Sequence, residues 1–208
     1  PARQMAGDYY DFILLPDGQL GILIADVADK GLGPALYMAL SRTLIRTFAT
    51  QYPALPAQVL AMVNQRILQD ASANLFVSVF YGVLNPTSGQ LTYANAGHPP
   101  PYLVNEQLGV QTLRNTGMPL GIDEESVWGQ ESVTIKPGDV LLLYTDGVTD
   151  AQNHAGEFID RDAILDVARD CPGKPVDSIR RDILEVVHDF VGEAPRFDDI
   201  TLVILSRD

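Results

Sequence analysis

The chain has 208 residues, 46% of them hydrophobic, enough for one domain with a substantial core. Its net charge of −13 disfavours nucleic acid and anionic lipid as partners, and no apolar run approaches the roughly 18 residues of a membrane-spanning helix. A single cysteine, Cys171, excludes an intramolecular disulfide and suits a reducing cytoplasm, and no signal peptide is visible.

The chain opens on "PARQ" without a Met, so the expectation is a domain excised from a longer protein with an upstream sensor or receiver module. "YYDFILL" and "LGILIAD" are β-rich runs separated by "PDGQ", which predicts a hairpin over 8–27. After the Gly-rich "DKGLGP", Leu36, Leu40, Leu44 and Phe48 recur at helical spacing and predict a helix over about 34–49, with Pro34 in its first turn. Val59, Val63 and Ile67 predict a second helix over about 56–70. "LFVSVFYGVL" and "QLTYANA" around "NPTSG" predict another hairpin, and "GHPPPYL" an extended stretch. Residues 102–136 read as short strands and turns without a clear order. A strand follows over 140–145, then helices over about 161–169 and 177–191, the latter carrying Ile179, Ile183, Val186 and Phe190, and a terminal strand in "DDITLVIL". Strands and helices are grouped rather than alternating, which argues for a single α+β domain over 1–208 with antiparallel sheets.

Four of these strands carry a carboxylate at one end: Asp8 in "MAGDYYDF", Asp26 in "LGILIADV", Asp146 in "LLLYTDGV", and Asp198 with Asp199 in "RFDDITLV". Asp146-Gly147 has an ordinary reading as a plain turn, Asp26 as a cap of the break before the next helix, and Asp198 and Asp199 as solvated loop charges, while Asp17-Gly18 in "LPDGQ" is taken as a plain turn. If the four ends meet, the clustered negative charge needs a cation to offset it. With no His or Cys cluster, oxygen donors point to Mg²⁺ or Mn²⁺. A pair of such ions about 3.5–4 Å apart would activate a water and clamp a phosphoryl group.

With these motifs in view, the sequence resembles the metal-dependent protein serine/threonine phosphatases (the PPM family, with the protein phosphatase 2C-like fold), in particular their bacterial SpoIIE-like branch. The matching stretches are "AGDYYD" at 6–11, "IADVADKG" at 24–31, "ANAGHPPPYL" at 94–103, "LLLYTDGVTDA" at 141–151 and "DDITLVIL" at 198–205. The resemblance implies an antiparallel β-sandwich with helices on both outer faces, in α-β-β-α layers. It implies two Mn²⁺ or Mg²⁺ ions and hydrolysis of phosphoserine or phosphothreonine by a metal-activated water, with no phosphoenzyme. The substrate would be a phosphorylated regulatory protein of the anti-sigma-factor antagonist type.

By the same resemblance Asp8, Asp26 and Asp146 are metal ligands, Asp198 is the fourth, and Val27 offers only its backbone carbonyl. Arg3 stands where some members carry a phosphate-binding arginine. Asp150 falls where relatives place a third, weaker metal and often carry Glu. Asp199 would orient Asp198. Asp11 is read either as a support for Asp8, as a contact to a metal through water, or as an ordinary strand carboxylate. His98 in "AGHPPP" is read as part of a structural rim rather than a general acid. Asp29 departs from the family pattern, in which a small residue precedes Lys30. The alternatives are a catalytically degenerate module that only binds phosphoproteins, and a nucleotide-processing metalloenzyme. The latter is disfavoured by the absence of a P-loop and the shortage of basic residues.

Overall fold

The computed structural model describes residues 7–70, 75–194 and 198–207. Arg3 therefore lies outside the described residues. The described chain is α+β, with two antiparallel sheets and five α-helices. It divides into two compact units: one made of residues 1–98 and 114–134, the other of 99–113 and 135–208.

The first unit carries a five-stranded sheet in the order β1-β2-β3-β4-β7. Its strands are β1 (Tyr9–Leu14), β2 (Leu20–Val27), β3 (Val77–Leu84), β4 (Gln90–Ala96) and β7 (Glu131–Thr134). "PDGQ" makes the first hairpin as its composition dictates: a 3₁₀ turn over Pro16–Gly18, with Asp17 and Gly18 at positive φ. Helices α1 (Leu32–Gln51) and α2 (Pro56–Asp70) pack on one face of this sheet.

The helical period of α1 is as the sequence predicts, but its buried stripe is not. Leu36 is 64% exposed, Leu44 and Phe48 pack partly buried against the core, and the fully buried stripe is Tyr37, Ser41, Ile45 and Ala49, one position further along. A polar partnership sets this rotation. Ser41 Oγ donates to the Met38 carbonyl at 3.0 Å, which leaves it to accept from the buried Tyr9 hydroxyl at 2.8 Å. Burial raises the Tyr9 pKa, so the phenol stays protonated and able to donate. Two residues along β1, on the same face, buried Asp11 binds Arg42 Nε at 3.0 Å and Arg46 Nε at 3.4 Å. Arg46 also donates to the Phe12 carbonyl of β1, an edge strand of this sheet. α1 is therefore fastened to β1 by a hydroxyl pair and a shared carboxylate as well as by apolar contact.

The second unit carries a four-stranded sheet, β6-β5-β8-β9. Its strands are β5 (Tyr102–Asn105), β6 (Gly109–Thr112), β8 (Val140–Tyr144) and β9 (Leu202–Ser206). The region that sequence left unordered resolves into the β5–β6 hairpin and β7, three strands of only four residues each, too short to show alternation. A one-turn helix, α3 (Asp146–Thr149), follows β8. Helices α4 (Arg161–Arg169) and α5 (Val176–Val191) share a core with this sheet, and Val187 rather than Val186 completes the buried stripe of α5. Asp160 caps α4 by accepting from the Asp162 amide.

Cys171 belongs to this second core. Its Sγ lies 3.3 Å from the Val167 carbonyl, and burial pushes its thiol up to about 11. Because the folded state holds this proton more tightly, the stability it contributes is full below pH about 9 and is lost as the pH rises through about 11. Urea midpoints of wild type and Cys171→Ala should therefore converge, or cross, between pH 8 and pH 11. Removing the shared carboxylate with Asp11→Ala should cost about 1–2 kcal/mol, read from the urea midpoint at constant slope.

Candidate functional site

In the first unit, strand register brings Asp8 and Asp26 together. Tyr9 pairs with Ala25, so Asp8, just before Tyr9, and Asp26, just after Ala25, stand at the same end of the β1–β2 ladder. The ladder is extended past Asp8 by a hydrogen bond from the Val27 amide to the Gly7 carbonyl at 3.3 Å. A Cβ at position 7 would lie 2.7 Å from the Val27 carbonyl oxygen and 3.0 Å from Asp26 Oδ1. Gly7 therefore fills a space no other residue could occupy, and it draws residues 7 and 8 against an Asp26 carboxylate oxygen and the Val27 carbonyl. Strand alternation puts Asp26 on the face opposite Ala25 and Leu23, whereas Asp11, paired with Leu23, faces α1. Of the three readings open for Asp11, an ordinary strand carboxylate fits: its charge is met by two arginines of α1.

β2 then leaves the sheet through a strained turn. Asp29 has φ 75°, in the left-handed region, and its Oδ1 accepts from the Lys30 amide at 2.8 Å. A small residue suits that conformation sterically, and Asp is tolerated because its short side chain bonds the local backbone.

In the second unit, the pairing of Tyr144 with Leu202 continues through Thr145. The Thr145 amide donates to the Thr201 carbonyl, and Thr145 Oγ1 accepts from the Thr201 amide, each at 3.0 Å. Asp146, the next residue, and Asp198–Asp199 thus lie at one end of the β8–β9 ladder. Asp146 opens α3, and Asp198 precedes β9 by four residues rather than beginning it. Asp198 Oδ1 accepts from the Asp199 amide at 2.7 Å, which fixes the turn between the two acids. A Cβ at Gly147 would overlap the Asp199 carbonyl oxygen. Asp150 closes α3, its amide bonded to the Asp146 carbonyl and its Oδ1 accepting from Thr149 Oγ1 at 3.3 Å.

Each unit thus holds a pair of acidic side chains, and in the first the third oxygen beside them is a main-chain carbonyl. Among the described residues no three His, Cys, Asp or Glu side chains group as a metal site. The donors present are all oxygens, the chemistry that suits a hard divalent cation, and the glycine-made approach at Asp26 and Val27 is a cradle of the kind such an ion needs.

Residues 16–208 match the family described as Stage II sporulation protein E (SpoIIE). The chain belongs to the SpoIIE family. It is 31% identical to the protein IcfG of Synechocystis sp. over its whole length, covering 37% of that protein. It is 30% identical to the phosphoserine phosphatase RsbU of Bacillus subtilis, again over its whole length and 61% of the relative. The chain thus spans between about two fifths and three fifths of these relatives. Among solved structures, the SiaA-PP2C domain of Pseudomonas aeruginosa superposes with a TM-score of 0.87 at 23% identity, over 98% of this chain and 81% of that one. That likeness establishes the protein phosphatase 2C fold expected for the SpoIIE family.

His98, read from the sequence as structural rather than as a general acid, has a partner that the sequence does not reveal. It is fully buried, and Ser78 Oγ lies 2.9 Å from its Nδ1. His154 and His188 are both exposed, as their isolation in the sequence suggests. The tight packing at Asp146–Gly147 gives a test. Gly147→Ala should lower stability by about 1–3 kcal/mol through overpacking. Gly33→Ala, in open space within α1, should leave it unchanged or raise it by up to about 1 kcal/mol. Thermal denaturation of the two variants distinguishes them.

Proposed function

We propose that the chain is a metal-dependent protein serine/threonine phosphatase that dephosphorylates a regulatory protein of the anti-sigma-factor antagonist type. The observation that carries this reading is the acidic pair at the end of a strand ladder in each unit, in a chain of the SpoIIE family. The similarity to a relative described as a phosphoserine phosphatase supports it. As the family resemblance implies, Asp8, Asp26, the Val27 carbonyl, Asp146 and Asp198 would supply donors for two Mn²⁺ or Mg²⁺ ions. When bound, such ions lower the pKa of a water and neutralise phosphoryl charge.

The chain's own residues do the positioning. Gly7 lets Asp8 close on the Asp26 strand end. Thr145 fixes the backbone that leads into Asp146, and the Asp199 amide holds the Asp198 carboxylate. Asp150 is the residue for a weaker third cation, and Arg3 for the phosphoryl oxygens. No serine or cysteine nucleophile is required, in keeping with the burial of Cys171 in the core of the second unit. The protein would work in the cytoplasm, under the control of a regulatory module in the same polypeptide, as the greater length of its relatives suggests. No helix among the described residues is long and apolar enough to cross a membrane. A degenerate phosphoprotein-binding module would be expected to have lost a ligand, whereas all four aspartates are present.

Hydrolysis of p-nitrophenyl phosphate should require Mn²⁺ or Mg²⁺ and stop in EDTA. Asp26→Asn and Asp146→Asn should each lower the rate at least about a hundredfold, more than 2.7 kcal/mol of transition-state stabilisation. A phosphoserine peptide should be turned over in preference to ATP or GTP. Undiminished activity in EDTA would overturn the metal-dependent reading.

A further inference from the structure

The stretch "NAGHPP" forms a built arrangement that the reading above leaves unused. Asn95 and His98 are both fully buried. Asn95 Oδ1 accepts from the His98 amide at 2.9 Å, and Asn95 Nδ2 donates to the His98 carbonyl at 3.1 Å. One side-chain amide thus satisfies both main-chain groups of a single residue. Asn95 is held in turn by Thr116: its amide donates to Thr116 Oγ1, and its carbonyl accepts from the Thr116 amide, both at 2.9 Å. Between them Gly97 has φ 71°, and a Cβ there would lie 2.6 Å from Pro119 Cδ. The left-handed turn that returns His98 to Asn95 therefore needs a glycine on two counts. This fixation delivers the His98 ring to Ser78.

Ser78 is the residue directly opposite Asp26 in the β2–β3 register. Directly opposed residues of antiparallel strands project from the same face with Cβ atoms about 5 Å apart. Ser78 is thus held by His98, whose Nδ1 is 2.9 Å from its hydroxyl, and is the cross-strand neighbour of Asp26 on the same face. With Nδ1 protonated, the imidazole donates to Ser78 Oγ and directs the hydroxyl proton outward, toward a carboxylate that can only accept.

We propose that His98, locked by Asn95, is a positioning residue that acts through Ser78 to orient the Asp26 carboxylate for the divalent cation. This rests on the metal-dependent reading above. The arrangement has the logic of an outer shell, in which a hydrogen-bond partner fixes a ligand's orientation and raises its affinity for the ion. His98 itself touches neither cation nor phosphate and transfers no proton in the reaction.

The test is calorimetric titration of Mn²⁺ alone into the full 208-residue chain, without substrate, with the melting temperature of each variant measured in EDTA. Ser78→Ala, a small change on an intact strand, should weaken Mn²⁺ binding about tenfold or more. His98→Phe should do the same, and the double variant should lose no more than either single one. His98→Asn places an amide nitrogen near the Nδ1 position and should recover most of the affinity. Wild-type affinity in Ser78→Ala, or losses in the two single variants that simply multiply in the double, would overturn the positioning role while leaving the phosphatase reading intact. A wild-type chain that binds no Mn²⁺ would overturn both.

Discussion

Both acidic pairs depend on contact between main chains that only glycine allows. At Gly7 a carbonyl and a carboxylate oxygen occupy the volume that a side chain would take, and at Gly147 the Asp199 carbonyl does so. Strand pairing alone sets acids side by side at ladder ends, but it leaves the segment beyond the ladder undirected. The missing Cβ lets that segment fold down onto the neighbouring strand, so the positions of Asp8 and Asp146 follow from backbone packing rather than from side-chain rotamers. This is an economical way to hold charged groups, because rigid backbone pays little conformational entropy when a ligand arrives.

Around each pair the fold supplies a different support. In the first unit β1 is moored to α1 through Tyr9–Ser41 and Asp11–Arg42/Arg46, which pins the strand that leads out of Asp8. In the second unit Thr145 spans the gap between the last rung of the β8–β9 ladder and the acids beyond it. Polar groups inside these supports are paired with named partners, as buried polar groups must be if they are not to destabilise the fold.

The sequence made the skeleton readable where the signal was local. The helices at 56–70 and 161–169 and the first two hairpins were legible from period and turn residues. Asp8, Asp26 and Asp146 were legible beside strand ends, because apolar runs that meet a carboxylate are visible along the chain, whereas Asp198 stands four residues before β9. What was hidden was tertiary. The rotation of α1 turns on a serine that meets Tyr9 from 32 residues away. Asp11 could not be assigned because its partners lie on another element. β5, β6 and β7 are too short for alternation to register, and α3 is a single turn. His98 looked like part of a proline-shaped rim because nothing local ties it to Ser78, 20 residues earlier. The left-handed backbone of Asp29, by contrast, had a trace in the sequence: it stands where relatives favour a small side chain.

Arg46 has a second employment besides its share of Asp11. Its guanidinium occupies an outward carbonyl of β1, whose exposed face carries Tyr10, Phe12 and Leu14. An unguarded outer strand with aromatic side chains is a template on which another chain can lay down a further strand. The long cation from the neighbouring helix occupies one rung of that template. The same contact that fastens helix to sheet thereby also discourages the protein from polymerising through its own margin.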